Sequence, residues 1–270
     1  MAAAKPTLVV SGNCQARVIW QALAESAEVK ADYRPVYVRN FRKGDQGEAR
    51  PEDLRDCALL LEQIAHKAPE MPGKESLPPH NRLIRYPILW LGSLWPLHSD
   101  GPRKASAASR QDDANPYGDR LILDLLDEGL GSDEAVRRWL ETDVPALVDL
   151  DRLHEILEQK ARLLDTRADV KLGGLVQDGF REQRLFVSRN HFSKAMFQQT
   201  LELVFAEIGL PAPELDLAKA LRGMGDFEVP IHPSVAAHFG LRWWSADMSF
   251  AYNGKPLGME AYLRRYAASQ

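Results

Sequence analysis

Short apolar segments alternate with longer amphipathic ones along the chain. Five segments are short, apolar, rich in β-branched or aromatic residues and bounded by proline, glycine or charge: residues 7–11, 34–39, 57–64, 82–91 and 184–188. These properties predict β-strands. The leucines and the alanine of segment 57–64 also suit a buried helix, so that segment is open to both interpretations.

Other segments place apolar residues at helical spacing. They predict five helices, which begin near Cys14, Asp119, Asp133, Leu150 and His191. The helix after His191 is predicted to end at Gly209, with Pro211 just beyond it, because glycine and proline are typical of helix C-termini.

The order of these segments predicts the fold class. Strands followed by helices favour an α/β fold with a mainly parallel sheet of about five strands, flanked by helices. The helices at about 119–183 arrive without intervening strands, so we expect a helix-rich insertion within a single domain, 1–270. A long loop is predicted at 66–81 and another at 96–118; a loop as long as the second is either functional or a plain surface loop.

Composition narrows the class of protein. A chain of 270 residues, 45% hydrophobic and 27% charged, has the balance of a soluble globular protein with a sizeable core. Its formal net charge of -4 argues against nucleic acid or an anionic membrane as the main partner. The N-terminal residues do not have the pattern of a signal peptide and no segment is long enough to span a membrane, so we expect a cytoplasmic protein. Cys14 and Cys57 are then expected to be free thiols.

Cys14 follows a predicted strand and opens a predicted helix. Ligands of open α/β sheets bind at such junctions, and the free N–H groups of a helix N-terminus favour an anion, so we expect them to lower the pKa of a thiol there. Gly12 permits a tight turn, and the Asn13 side chain offers an amide donor. This pattern favours a nucleophile, although a small buried cysteine after a plain turn explains it as well.

A cysteine nucleophile needs a base, and His191 lies in a comparable position. It stands between the predicted strand 184–188 and a long helix, where it is either a base or a helix N-terminal residue without chemistry. His154 falls on an apolar helical stripe and is expected to pack. The other histidines lie in loops or near a short C-terminal helix: His66, His80, His98, His232 and His238.

Four motifs, in order, resemble the WcbI-type proteins of capsular polysaccharide biosynthesis. They are residues 11–15 (SGNCQ), 88–96 (ILWLGSLWP), 117–119 (YGD) and 185–191 (LFVSRNH), within a resemblance that extends from about residue 7 to about 210. The resemblance implies a coenzyme A binding acetyltransferase that acts on a capsule sugar, with Cys14 and His191 at the active site. The layout is also similar to SGNH-type serine esterases, but Ser188 stands where they carry an acid and no Gly-x-Asn block follows Gly92.

The resulting hypothesis is acyl transfer from acetyl-CoA to a sugar hydroxyl. Cys14 is the nucleophile and His191 the general base, while backbone N–H groups at Cys14 and Gln15, with the Asn13 amide, hold the oxyanion. The alternative within the same chemistry is direct transfer, in which His191 activates the sugar hydroxyl and Cys14 only shapes the pocket. Two other classes stay open: an SGNH-like esterase or thioesterase, and a protein that binds CoA or glycan without catalysis.

Coenzyme A carries several phosphate charges, so an acidic protein needs a basic cluster to bind it. The candidates are Arg17 on the first helix and Arg39, Arg42 and Lys43 after the second predicted strand. Solvated surface charges are the alternative interpretation. We expect no metal ion, and we expect a CoA thioester and a sugar or glycan as partners.

Overall fold

A computed structural model describes residues 5–40, 49–67, 71–100, 115–214, 216–217 and 226–270. Contacts group the chain into two compact units. The first unit comprises residues 1–89, 158–178 and 194–221, and the second comprises residues 90–157, 179–193 and 222–270. The single domain expected from the sequence stays a prediction.

Strands and helices follow one another over most of the described chain. In chain order they are β1 (Thr7–Gly12), α1 (Cys14–Glu25), α2 (Ala27–Asp32), β2 (Arg34–Arg39), α3 (Pro51–Arg55), β3 (Cys57–Ile64), β4 (Arg82–Pro87), β5 (His98–Asp100), β6 (Tyr117–Asp119), α4 (Arg120–Asp127), α5 (Ser132–Glu141), α6 (Val144–Leu147), α7 (Leu150–Asp165), α8 (Gly173–Gly179), β7 (Phe186–Ser188), β8 (His191–Phe192), α9 (Lys194–Ile208), α10 (Pro233–Phe239), β9 (Ser249–Tyr252), β10 (Lys255–Gly258) and α11 (Met259–Ala268).

A parallel sheet forms the centre of the first unit. Its four strands lie in the order β2-β1-β3-β4, and every neighbouring pair is parallel. All six residues of β1 are buried, which explains why that strand is a continuous apolar run rather than an alternating one. Segment 57–64, which suited a helix or a strand, is strand β3. The carboxyl ends of β1, β2 and β3 therefore share one edge of the sheet.

Helix α1 packs on this sheet through the face that its sequence pattern predicts. Val18, Ile19, Ala22 and Leu23 are buried, and α1 contacts β1 and β2. Arg17 lies on the exposed side of the helix. Burying this apolar stripe fixes the position of the helix N-terminus directly after β1.

The second unit contains helices and three short antiparallel strand pairs. The pairs are β5 with β6, β7 with β8, and β9 with β10. Its core is aromatic: Trp139 on α5, Phe250 and Tyr252 on β9, and Tyr262 and Tyr266 on α11 are buried together. Two tyrosines of this core, Tyr262 and Tyr266, are hydrogen-bonded to Asn115 and Asp119 at the two ends of β6.

The mixed α/β class, with a mainly parallel sheet flanked by helices, is confirmed, and in the described residues the parallel sheet has four strands against the predicted number of about five. The fifth predicted strand, 184–188, supplies β7, which pairs antiparallel with β8 instead of joining the parallel sheet. Arg189 and Asn190 form a tight turn that reverses the chain after Ser188. A strand followed by such a turn finds its partner locally.

The predicted helices and loops are mostly present. Helices occupy much of 119–183, and that fully described stretch holds no strand after Asp119. Helix α9 ends at Ile208 and Gly209 adopts a positive φ of +90°, as expected of a C-terminal glycine. Segment 96–118, expected to be a loop, holds β5 and the start of β6. Among the described residues, no helix is both long and apolar enough to cross a membrane.

Candidate functional site

Cys14 is the first residue of α1 and follows Asn13, which caps the helix. Asn13 Oδ1 accepts a hydrogen bond from the Gln15 amide N–H at 2.8 Å, as is typical of an N-cap residue. The thiol is partly exposed. The side chain therefore stands where a parallel sheet and a helix N-terminus meet, as the sequence predicted.

A buried pair of glutamines holds this turn in place. The backbone N–H of Asn13 donates to Gln63 Oε1 at 2.9 Å, and Gln63 Nε2 donates to Gln15 Oε1 at 3.0 Å. Gln15 Nε2 then donates to the Leu89 carbonyl at 3.2 Å. Because each of these polar groups is satisfied away from water, the network fixes the backbone on both sides of Cys14.

Gly12 is required by close approach. A Cβ on Gly12 would lie 2.6 Å from Gln63 Oε1 and 2.7 Å from the Ala16 Cβ, and the glycine has a φ of +156°. On the other side, the Tyr37 hydroxyl donates to the carbonyl oxygens of Gly12 and Asn13 at 3.0 and 2.9 Å. A side chain at position 12 would therefore collide with Gln63 and Ala16.

The pKa of the Cys14 thiol is raised, not lowered as the sequence predicted. Burial is the largest cause and raises it, whereas the amide N–H groups of Gln15 and Cys14 and the charge of Arg17 lower it. The helix N-terminus thus acts in the predicted direction, but desolvation of a thiolate outweighs it. At neutral pH Cys14 is a thiol and needs a base to become a nucleophile.

The oxyanion donors expected from the sequence are partly engaged. The Gln15 N–H already donates to Asn13 Oδ1, so Asn13 acts first as an acceptor and helix cap. The N–H groups of both Cys14 and Gln15 nevertheless interact with the Cys14 sulfur. Both N–H groups therefore favour the thiolate form of Cys14.

His191 lies in the second unit, on β8 of the short hairpin with β7. It lies between β7 and the long helix, as predicted, but it belongs to the short strand β8, because the turn at Arg189 and Asn190 precedes it and α9 begins at Lys194. Burial lowers the pKa of His191. The imidazole is therefore neutral at pH 7, which is the form that accepts a proton.

The Tyr117 hydroxyl is hydrogen-bonded to His191 Nδ1. The two rings pack edge to face with centroids 5.7 Å apart. Tyr117 belongs to β6, and its amide N–H donates to Asn115 Oδ1 at 3.0 Å. The hydrogen-bond partner of the His191 ring is thus a tyrosine of β6, a strand outside the hairpin that carries His191.

Asp119, two residues after Tyr117, anchors the other end of β6. Its Oδ1 caps α4 by accepting from the Ile122 N–H at 3.1 Å, and its Oδ2 accepts from Trp139 Nε1 at 3.0 Å. Burial raises the pKa of Asp119 to about 6, although these hydrogen bonds act in the opposite direction. The carboxylate holds the strand and does not contact His191.

Three other histidines pack against neighbouring side chains or cap a helix. The expected packing of His154 is confirmed: Nδ1 lies 3.0 Å from Ser93 Oγ and the ring packs against Phe180 and Phe239. His232 is buried and caps α10. The ring of His98 lies beside Tyr117, with centroids 6.1 Å apart.

The predicted basic residues fall into two groups. Arg39 ends β2 and pairs in register with Gly12, so it shares the carboxyl edge of the sheet with Cys14. Arg17 is exposed one turn along α1. Arg42 and Lys43 lie outside the described residues. In the described part of the chain, no group of three or more side chains has the composition of a metal site.

The two cysteines are free thiols at opposite edges of the sheet. Cys57 pairs in register with Thr7, at the amino end of β1, whereas Cys14 follows the carboxyl end. A six-residue strand separates them by about 20 Å, which excludes a disulfide between them. Cys57 lines a cavity of about 390 Å³ with Lys5, Arg55 and His80, away from the candidate nucleophile.

Sequence reasoning missed two residues of these arrangements. Tyr117 drew attention only as part of the YGD motif, because its contact with His191 joins side chains 74 residues apart in sequence. Gln63 ends a mostly apolar run, and a polar residue at the carboxyl end of a buried strand was the available signal.

Comparison with known sequences gives one clear result. The sequence model of the family described as "Polysaccharide biosynthesis enzyme WcbI" matches residues 7–213. This range includes Cys14, Gln63, Tyr117 and His191. No curated protein gave a significant match.

A solved structure with a similar fold belongs to the same family. It is WcbI, described as a novel polysaccharide biosynthesis enzyme, in its native form without a disulfide bond between coenzyme A and that protein's own Cys14. The match has a TM-score of 0.70 and 15% sequence identity, and it covers 98% of this chain and 90% of that one. Since the family model spans well over half of the sequence, from β1 to beyond α9, the protein belongs to the WcbI family of polysaccharide biosynthesis enzymes.

Proposed function

We propose that the protein is an O-acetyltransferase that moves an acetyl group from acetyl-CoA to a sugar hydroxyl of a capsular or other surface polysaccharide. The observation that carries this proposal is the position of Cys14, a partly exposed thiol at the N-terminus of α1. The residues on both sides of it are held by Gln63, which accepts from the Asn13 backbone N–H and donates to Gln15 Oε1. A rigid thiol beside amide N–H groups is suited to attack a carbonyl and to stabilise the resulting oxyanion.

The first half-reaction acylates the protein. His191 takes the proton from Cys14 Sγ, and the sulfur forms a bond to the acetyl carbonyl carbon of acetyl-CoA. The bond from that carbon to the CoA sulfur then breaks, and the leaving thiolate takes the proton from His191. Exchange of one thioester for another is close to thermoneutral, so the acetyl group keeps its reactivity.

The second half-reaction transfers the acetyl group to the acceptor. His191 removes the proton of a sugar hydroxyl, the oxygen attacks the acetyl carbonyl, and the Cys14 sulfur leaves and regains a proton. The same imidazole serves both steps because it returns to the neutral form each time.

The shifted pKa values support this division of roles. Burial raises the pKa of the Cys14 thiol and lowers the pKa of His191. In the free enzyme these shifts keep the proton on the Cys14 sulfur and leave His191 neutral, so the thiolate forms only as His191 accepts the proton. The proposal therefore requires both side chains to act on the same thioester.

Coenzyme A is the proposed thiol carrier. The WcbI structure is described as being without a disulfide bond between coenzyme A and its own Cys14. Such a bond would need the CoA thiol to lie beside that cysteine, and this supports the same contact at Cys14 here. Arg39 and Arg17 lie at or near the carboxyl edge of the sheet, and we assign them, with Arg42 and Lys43, to the phosphates of CoA. Because acetyl-CoA is a cytoplasmic metabolite, the proposed reaction takes place in the cytoplasm.

The proposed activity is tested with acetyl-CoA and de-O-acetylated surface polysaccharide fragments, by measuring CoA release and acetylated glycan. We expect Cys14→Ala and His191→Gln to lower turnover by about 100-fold or more. Cys57→Ala and His238→Gln, which change a cysteine and a histidine elsewhere, are expected to keep it.

Two outcomes would contradict the proposal. Equal turnover in all four variants would remove Cys14 and His191 from the reaction. Loss of thioester at the same rate with and without glycan would instead make the protein a hydrolase.

A further inference from the structure

We propose that Tyr117 is the positioning residue of His191: its phenolic oxygen accepts the Nδ1–H of the imidazole and leaves the Nε2 lone pair as the atom that takes the proton. This inference rests on the proposed function, in which His191 acts as a base. It assigns a tautomer and an orienting group to a histidine for which the sequence offered neither.

The contact itself is the first argument. The Tyr117 hydroxyl and His191 Nδ1 are hydrogen-bonded, and the rings meet edge to face at an interplanar angle of 81°. An imidazole with Nδ1 occupied in this way has only Nε2 available to a substrate. A base needs a lone pair at that atom, so the proton of the neutral ring must be on Nδ1, facing the phenol.

In the part of the chain that the structure describes, no carboxylate is hydrogen-bonded to the His191 ring. Ser188, three residues before His191, donates its hydroxyl to Asn190 Oδ1 at 3.4 Å rather than to the ring. The Asp119 carboxylate accepts from Ile122 and Trp139. Burial is the cause of the lowered pKa of His191, and no charged side chain among the described residues opposes it. A neutral phenol therefore orients the ring without stabilising its charged form as a carboxylate would.

Tyr117 is itself braced on both sides. Its amide donates to Asn115 Oδ1 at 3.0 Å, and Asn115 Nδ2 donates to the Tyr262 hydroxyl at 2.7 Å. The Asp119 amide donates to the Tyr266 hydroxyl at 3.0 Å. Helix α11 thus ties both ends of β6 to the aromatic core, and a strand held in this way keeps the Tyr117 hydroxyl in place beside the His191 ring.

The tautomer is tested without any substrate. The protein is labelled with ¹⁵N-histidine, and the His191 signals are assigned by comparison with His191→Gln. At pH 7.5 we expect Nδ1 to show the shift of a protonated, pyrrole-type nitrogen and Nε2 that of an unprotonated, pyridine-type nitrogen. The opposite assignment, with the proton on Nε2, would overturn the inference, and so would an even mixture of the two tautomers.

The kinetic consequence is tested with Tyr117→Phe, which removes one oxygen. Rapid-quench mass spectrometry measures the rate at which acetyl-CoA acetylates Cys14. We expect the maximal rate to fall about tenfold, the size of one lost hydrogen bond, while the acetyl-CoA concentration at half-maximal rate is unchanged. Tyr33→Phe is the matched control, since the Tyr33 hydroxyl makes no hydrogen bond to the described residues.

Unchanged kinetics in Tyr117→Phe would overturn the positioning role, and so would a change confined to the half-maximal concentration. If the wild-type protein never acetylates Cys14, the proposed function fails, and the tautomer measurement alone then decides the inference. If Tyr117→Phe does not fold, the tautomer of the wild-type protein again decides.

Discussion

At the scale of single residues, the chemistry of Cys14 results from two opposed effects. The N-terminus of α1 presents amide N–H groups to the sulfur, and the surrounding protein removes water from it. Desolvation is the larger effect, so the thiol keeps its proton at neutral pH. The local sequence shows the helix N-terminus but not how much of the side chain the rest of the fold covers, which is why the predicted direction of the pKa was wrong.

The protonation state of Cys14 is tested by alkylation. Iodoacetamide reacts with the thiolate, so we expect the peptide-resolved rate at Cys14 to rise with pH through a midpoint above the value of about 8.5 for an unperturbed thiol. Because the pKa is raised, the thiolate forms only above that pH. A Cys14 that is already fully reactive at pH 7 would contradict this expectation.

Gln63 is the second residue whose role depends on burial. Replacing it with leucine keeps its approximate size but removes the acceptor of the Asn13 backbone N–H and a donor to Gln15 Oε1. Leaving buried polar groups unpaired typically costs about 1–3 kcal/mol each. We expect Gln63→Leu to lower the free energy of unfolding, measured by urea denaturation, by about 2–4 kcal/mol.

Gln198→Leu is the control for this measurement. Gln198 makes one exposed hydrogen bond to Glu202 on the same helix, so we expect a change of about 0.5 kcal/mol or less. If both variants unfold at the same urea concentration as wild type, the glutamine network does not stabilise the turn.

At the scale of elements, the sequence predicted helix α9 and its end but not the hairpin of β7 and β8 that precedes it. The apolar stripe of α9 predicted a long helix and its end at Gly209. It did not predict the start, because β7 and β8 have only three and two residues and the turn between them resembles a helix N-terminus. Pairing across the hairpin decides the position of His191, and local patterns do not contain that pairing.

Asp119 links two elements, β6 and α4, and gives the fold a specific pH dependence. Burial raises its pKa to about 6 in the folded protein, above the value of about 3.9 in an unfolded chain. The folded state therefore binds this proton more tightly, so its contribution is fully present below about pH 4 and is lost as the pH rises through about 6.

The difference in the free energy of unfolding between wild type and Asp119→Asn isolates this contribution. Relative to Asp119→Asn, we expect the free energy of unfolding of wild type to fall by roughly 1–2 kcal/mol between pH 4 and pH 7, after allowance for the partial exposure of the residue. Urea titrations at each pH measure it. A difference that is constant with pH would show that Asp119 titrates normally.

At the scale of the whole molecule, the family model spans residues 7–213, and the overall fold matches a family member at 15% identity. The α/β class and the position of Cys14 were predictable, because strand and helix periodicity and the first β-α junction are local features. The division into two units and the antiparallel pairs of the second unit were not, because they depend on contacts between residues far apart in sequence.

The negative net charge of the chain leads to a prediction about the binding of CoA. With a net charge of -4, attraction to CoA has to come from local cations such as Arg39. We expect CoA to raise the melting temperature, because a ligand that binds only the folded state stabilises it. The shift is expected to shrink in Arg39→Gln and with added salt, and to persist in Arg162→Gln, whose side chain pairs with Glu158 on α7.

The central claim, covalent transfer through Cys14, is tested most directly by rapid-quench mass spectrometry with acetyl-CoA and no acceptor. The account predicts that an acetyl group forms on the peptide containing Cys14 and not on the one containing Cys57, and that it disappears when glycan is added. It predicts much slower acetylation in His191→Gln. Normal acetylation of glycan by an enzyme whose Cys14 never carries the acetyl group would contradict the account.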